Sequence, residues 1–182
     1  WMYNLADLTV LPSSNEGWGL SLTESMMAET MIAANVTGGM QDQMRFVDDN
    51  GEWFTPSSDV PSNHRGTYKE HGPWALPIFP TNISLVGSVP TPYIFDDRCS
   101  FEDIAYAIEQ AYKLTPEERS KNGKLAREWV TSEEAKMSAT SMSLNVIDAI
   151  DETLRDFKPR SKFDIIKVGE RKKDYVEHQL LY

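Results

Sequence analysis

Two short apolar runs, Leu8-Thr9-Val10-Leu11 and Met31-Ile32-Ala33-Ala34, stand either side of a turn-rich loop and one helical pattern. That spacing limits the fold more than any other feature of the chain. The first run is partly β-branched and ends at Pro12, where a ladder donor is lost, so it reads as a buried strand. Ser13-Ser14-Asn15-Glu16-Gly17 is turn-rich, and the apolar positions Leu20, Leu22, Met26, Met27 and Ala28 predict a helix from about Ser21 to Glu29. Met31–Ala34 then reads as a second buried strand. Strand, crossover helix and strand imply a parallel, right-handed βαβ unit, with both strands ending at one sheet edge. The expected class is therefore α/β, a Rossmann-like parallel sheet flanked by helices, and ligands of such sheets bind at that edge.

Two loops meet there, Ser13–Leu20 and Val36-Thr37-Gly38-Gly39. Their glycines let backbone come close to a ligand with no Cβ in the way. The amides of Gly19, Leu20 and Ser21 fall at a helix N-terminus, where unpaired N–H groups and about half a unit of positive charge favour phosphate. Glu24, one turn in, can only accept hydrogen bonds, which suits a pair of neighbouring hydroxyls such as those of a ribose. Glu16 lies upstream, toward whatever extends beyond the phosphates. A plainer reading competes at each position: Ser21-Leu22-Thr23-Glu24 also fits a capping box, Glu16 a solvated loop acid, Gly38-Gly39 a simple turn. Trp18 is expected to pack against the sheet rather than stack on a base.

Glu16-Gly17-Trp18-Gly19-Leu20, Glu24 and Gly38-Gly39, preceded by Asn4-Leu5-Ala6-Asp7-Leu8-Thr9-Val10-Leu11-Pro12-Ser13, resemble the donor-site segment of GT-B glycosyltransferases of the glycosyltransferase group 1, or family 4, type. The resemblance is close over about the first 55 residues and looser over the helices from Ser100 to Val130. It implies a C-terminal Rossmann-like donor domain, incomplete at its N-terminus, that transfers a sugar from a nucleotide-sugar donor to a carbohydrate or other hydroxyl acceptor. It further implies that Glu24 holds the nucleotide ribose, that the amides of Gly19, Leu20 and Ser21 face the diphosphate, and that Glu16 touches the transferred sugar. The donor-binding set is Glu24, Gly17, Gly19, Leu20, Ser21, Gly38 and Gly39, with Glu16 as the catalytic residue. Retention of configuration, no bound metal and no cofactor are the family's usual habit. Glu29 and Met31 depart from its pattern, which more commonly has a small residue and a proline there. The alternatives are a nucleotide-sugar epimerase of the same fold and a sugar-nucleotide-binding or structural module without catalysis. The epimerase would want a histidine and an arginine near the sugar, and this segment offers neither.

The first residue is Trp, and the strand pattern starts within ten residues. The chain is accordingly expected to be the C-terminal part of a longer protein, inactive alone for want of an acceptor domain. With 182 residues and 40% hydrophobic content it suits about one domain. No apolar run approaches the roughly 18 residues of a membrane span. One cysteine, Cys99, permits no internal disulfide, and three scattered histidines add no metal cluster. A cytoplasmic protein is expected. Net charge is −10, which argues against nucleic acid. From Lys158 onward seven Lys or Arg face four Asp or Glu, so residues 158–182 read as a basic tail behind a domain of residues 1–157. That tail is expected to be solvated, with a membrane surface as a less favoured partner.

Seven of the ten prolines fall between Pro56 and Pro92. Residues 56–99 therefore read as an ordered insertion, poor in regular structure, packed by Tyr68, Trp74, Phe79, Tyr93 and Phe95 and serving as a lid or acceptor-side element. Trp53-Phe54-Thr55 reads as a last short strand before it, and His64, Arg65 and His71 as surface residues within it. Helices are expected from Ser100, with Asp103 at the capping-box position, from Thr115-Pro116, and from Ser132 to about Phe157.

Overall fold

The computed structural model describes residues 2–54, 63–64 and 67–159. Its centre is a parallel sheet in the order β1-β2-β3, built from Leu8–Leu11, Met31–Asn35 and Ala75–Ile78. Leu8 pairs with Met31 and Leu11 with Ala34, while Ile32 pairs with Ala75 and Asn35 with Ile78. All three strands end at one edge.

Every residue of β2 is buried, and its alternation divides the core between the two faces of the sheet. Ile32, Ala34 and then Val36 join Leu22 and Met26 of α1 (Leu20–Met27) and Ala126, Trp129 and Val130 of α3 (Pro116–Val130). Ala33 joins Ile78 and Ala107 of α2 (Phe101–Lys113), with Leu8, Val10 and Ile104 packed around them. A continuous apolar run without polar alternation is what a strand covered on both faces requires.

The helix starts follow their caps. The Ser100 side chain accepts from Asp103 N–H, and its hydroxyl donates to the Asp103 carboxylate. Thr115 and Glu118 form a complete reciprocal capping box with Pro116 at the first helical position. The third helix begins later than the pattern predicted. Residues 132–138 turn instead, Met137 entering the core, and α4 runs Ala139–Asp156.

The proline-rich stretch departs from expectation. Besides β3 it contains a hairpin, β4 (Asn82–Ser88) and β5 (Thr91–Arg98), antiparallel with a register shift between Val86 and Ser88. β3 carries no unbroken strand pattern because Pro77 interrupts it; as an edge strand it tolerates one missing donor. Trp53, by contrast, forms only an isolated bridge to Val47, and Thr55 lies outside the described residues. His64 is not at the surface. It is 1% exposed, with Phe46, Phe54, Tyr68 and Phe79 in tilted or edge contact at 4.5 to 5.7 Å. His71 is half-buried and lies edge-on to Phe46. Neutral imidazoles suit such aromatic walls, and burial lowers both ring pKa values below the ordinary 6.5. Arg65 and the tail from residue 160 lie outside the described residues.

Two compact units divide the chain, Trp1–Leu144 and Asn145–Tyr182. In the second, the described part is mostly helix and shows Val146, Ile147, Ile150, Leu154 and Phe157 exposed.

Candidate functional site at the sheet edge

The backbone at Gly19 decides where α1 begins. Gly19 is its N-cap, in the left-handed region at φ +79°, so the helix starts at Leu20, one residue before the predicted position. Ser21 therefore lies inside the first turn and caps nothing, which removes the capping-box reading of Glu24. The first helical hydrogen bond runs from Leu22 N–H to Gly19 O at 2.9 Å, leaving the amides of Leu20 and Ser21 ahead of it at the helix end. On the far side of α1, Leu22, Thr23, Ser25 and Met26 are buried; Leu20 and Glu24, one turn apart, face outward.

A side chain with no local signal in the sequence holds this turn. Gln43 comes from the 3₁₀ segment Gly38–Met44 and is fully buried. Its amide nitrogen donates to the carbonyls of Trp18 and Gly19. Its amide oxygen accepts from Thr23 Oγ1 at 2.7 Å, which in turn accepts from Trp18 Nε1 at 2.9 Å. The loop and the first turn are thus closed into one ring of hydrogen bonds, further tied by Trp74 Nε1 donating to Gln43 O. Trp18 packs on the core as expected. Nothing in the periodicity of residues 38–44 marks Gln43, because a 3₁₀ segment has no 3.6-residue stripe to read.

Gly38 and Gly39 meet protein backbone first. A Cβ on Gly38, at φ +50°, would overlap the Glu16 carbonyl oxygen, and one on Gly39 would overlap the Gly17 carbonyl and crowd Trp18 Cα. The second loop lies flat against the first, which only glycine permits. Gly17 is the exception: a Cβ there meets nothing within 4 Å. The edge consequently presents an open strip of half-buried Glu16 and exposed Gly17, Leu20 and Glu24.

The Glu24 carboxylate already has a partner, accepting from Tyr3 Oη at 2.9 Å. That hydrogen bond and the nearby negative charge raise the Tyr3 hydroxyl above its usual value. Tyr3 belongs to the 3₁₀ turn Tyr3–Leu5, whose carbonyl at Tyr3 accepts from Thr30 Oγ1 at 2.7 Å. A concavity of about 610 Å³ follows α3, lined by Glu117, Lys121, Lys124 and Glu128, and shares no residue with the strip. Among the described residues, no three His, Cys, Asp or Glu side chains are grouped to hold a metal ion, and no helix is long and apolar enough to cross a membrane.

A parallel βαβ unit with its loops and helix end gathered at one edge is the architecture of a Rossmann-like domain. The family model described as Glycosyl transferases group 1 matches residues 1–62, which take in β1, the strip, α1, β2 and the Gln43 segment. Over that stretch, about a third of the 182-residue chain, the protein is similar to the group 1 glycosyltransferases. Neither a curated protein nor a solved structure matches the chain.

Proposed function

We propose that the strip from Glu16 to Glu24 binds a nucleotide-diphosphate sugar, and that the protein transfers this sugar, with retention, to a hydroxyl acceptor held by a further domain. The observation that supports the reading is the coincidence of the group 1 match with the sheet edge where a helix end and two interlocked loops meet, with Glu16 on the first loop and Glu24 one turn into the helix. In this reading Glu24 takes the ribose hydroxyls, the amides at Gly19, Leu20 and Ser21 meet the diphosphate, and Glu16 orients the sugar. Gly17 leaves the approach open, and Gly38 and Gly39 hold the loop from behind. Glycosyl transfer develops positive charge on the sugar and negative charge on the departing diphosphate. Preorganised amide dipoles favour the second charge, so no resident metal or cofactor is part of the proposal. A carboxylate at Glu16 offsets the first, each charge-assisted hydrogen bond contributing about 1.5 to 3 kcal/mol. The setting proposed is the cytoplasm, and the chain alone binds donor without turning it over.

A second reading, a structural module without donor binding, is favoured by the Tyr3 hydroxyl that already occupies Glu24. Calorimetric titration of UDP, GDP and ADP against wild type, Glu24→Ala and Tyr3→Phe tests the site. At least one nucleotide should bind wild type, bind Glu24→Ala at least tenfold more weakly, and bind Tyr3→Phe no worse. Absence of binding to wild type for all three discards the donor-site reading. Binding that survives Glu24→Ala unchanged discards the role of Glu24. In the intact enzyme Glu16→Gln should lower turnover while leaving nucleotide affinity within about twofold; unchanged turnover discards the catalytic role of Glu16.

A further inference from the structure

Asp97, far along the chain on β5, reaches back to both loops of the candidate site. Its N–H donates to Ser14 O at 3.0 Å. Its carbonyl accepts from Asn35 Nδ2 at 2.8 Å, and the same nitrogen donates to Ser13 O at 3.0 Å. Its two carboxylate oxygens accept from Thr37 Oγ1 at 2.8 Å and from Asn63 Nδ2 at 2.7 Å. Asp97 is 8% exposed, and Asn35, Thr37 and Asn63 are 6% or less. Among the described residues no cation pairs with it, so a buried carboxylate is held by neutral donors alone. Such a group is kept only where its hydrogen bonds are well made.

What these bonds hold is specific. Ser14 lies two residues before Glu16, and Thr37 immediately precedes Gly38, which rests on the Glu16 carbonyl. Glu16 is thereby bracketed from upstream through Ser14 and from behind through Thr37 and Gly38, with Asp97 at the root of both. We infer that Asp97 is a positioning residue for Glu16, acting through Thr37 and the Ser14 carbonyl to fix the Ser13–Leu20 loop against the Asn35–Gly39 loop. This builds on the donor-site reading for its consequence, but the loop geometry stands apart from it.

The experiment is hydrogen–deuterium exchange on the full 182-residue chain, comparing wild type with Asp97→Asn, Thr37→Val and Thr37→Ser. Asp97→Asn swaps one acceptor for a donor facing existing donors, Thr37→Val removes the hydroxyl, and Thr37→Ser keeps it. The expected result is at least tenfold faster exchange in peptides covering 13–20 and 36–40 for Asp97→Asn and Thr37→Val, with α3 and β3 unchanged. Thr37→Ser should match wild type, and the double variant Asp97→Asn/Thr37→Val should be no worse than Asp97→Asn. Loop exchange that stays at the wild-type rate overturns the inference, as does acceleration spread evenly over the chain or a Thr37→Ser variant as impaired as Thr37→Val. Should Asp97→Asn fail to fold, the Thr37 pair decides by the same criteria. Titration of UDP, GDP and ADP runs alongside: exchange confined to the loops in a chain that binds none of them keeps the positioning role and removes the donor-site reading.

Discussion

At the scale of single residues, three glycines in one site have three different reasons to be glycine. Gly19 and Gly38 adopt left-handed backbone, which an L side chain resists by about 1 to 2 kcal/mol, and Gly38 adds steric overlap with the Glu16 carbonyl. Gly17 adopts no such backbone and has open space where a Cβ would go. Gly38→Ala should therefore lower stability by roughly 2 to 4 kcal/mol in denaturant titration, the strain and the overlap both acting. Gly17→Ala should leave stability within about 0.5 kcal/mol, and a loss there similar to that at Gly38 would contradict the loop packing. If the strip binds a diphosphate, Gly17→Ala should still weaken that binding, because the open approach is what the methyl group fills. The same contrast shows what a sequence can tell at this scale. That Gly38-Gly39 mattered was readable; that their first neighbour is Glu16 backbone was not, because the meeting of two loops depends on sheet register.

At the scale of elements, α3 is held to the end of α1 by a contact that helix propensity alone would misjudge. Gly123 sits mid-helix and buried, and a Cβ there would overlap the backbone carbonyl of Glu29. Replacing an interior helix glycine with alanine ordinarily gains about 1 kcal/mol. Overpacking against backbone opposes it with about 1 to 3 kcal/mol, and backbone yields less readily than a side chain. Gly123→Ala should accordingly destabilise by about 1 to 2 kcal/mol in chemical denaturation, and a stabilised variant would show that α1 and α3 are not in contact there. Glu29, opposite, holds φ +60° and an exposed ion pair to Arg127 at 3.2 Å. Relief of left-handed strain is worth about 1 kcal/mol and exceeds what an exposed pair contributes, so Glu29→Gly should raise the melting temperature by a few degrees. The elements legible in the sequence were those with a local signal: β1 ending at Pro12, β2 as an unbroken apolar run, α2 and α3 behind their caps. β3 has its signal broken by Pro77, and the β4–β5 hairpin lies among prolines that argued for irregular chain. Asp97 gained its place only through that hairpin, so no local pattern pointed to it. The candidate strip was legible because it is local, from Glu16 to Glu24; its supports, Gln43 and Asp97, were not, because they arrive from elsewhere in the chain.

Across the whole molecule, the titration of one buried and two half-buried groups sets opposing slopes on stability against pH. Asp42, in the 3₁₀ segment behind the strip, has its pKa pushed up to about 6 by burial, and its Oδ1 has no partner among the described residues. Because the folded chain holds that proton more tightly than the unfolded chain, Asp42 withdraws stability as pH rises from about 4 to about 6, and the whole loss persists above that. His64 and His71 act in the other sense. Burial depresses both, so the unfolded chain takes up protons first, and stability falls as pH drops below 6.5. Nδ1 of His64 accepts from Tyr68 N–H at 3.3 Å, which puts the proton of the neutral ring on Nε2, facing aromatic walls without a partner. A second proton on that ring would place a charge among Phe46, Phe54 and Phe79, with Lys69 adding repulsion. In Asp42→Asn, where the opposing carboxyl slope is gone, the melting temperature followed from pH 4 to pH 8 should therefore fall on the acid side below 6.5. Asp42→Asn should melt higher than wild type at pH 7.5, and that advantage should shrink through pH 6 and be mostly gone near pH 4, where the unfolded wild-type chain also begins to take up the proton. His64→Phe should flatten the acid limb whatever its absolute stability, since the ring that must charge is gone. An Asp42→Asn gain that grows on acidification, or an acid limb unchanged in His64→Phe, would assign the pH response to other groups and break the link between these sites and the stability of the fold.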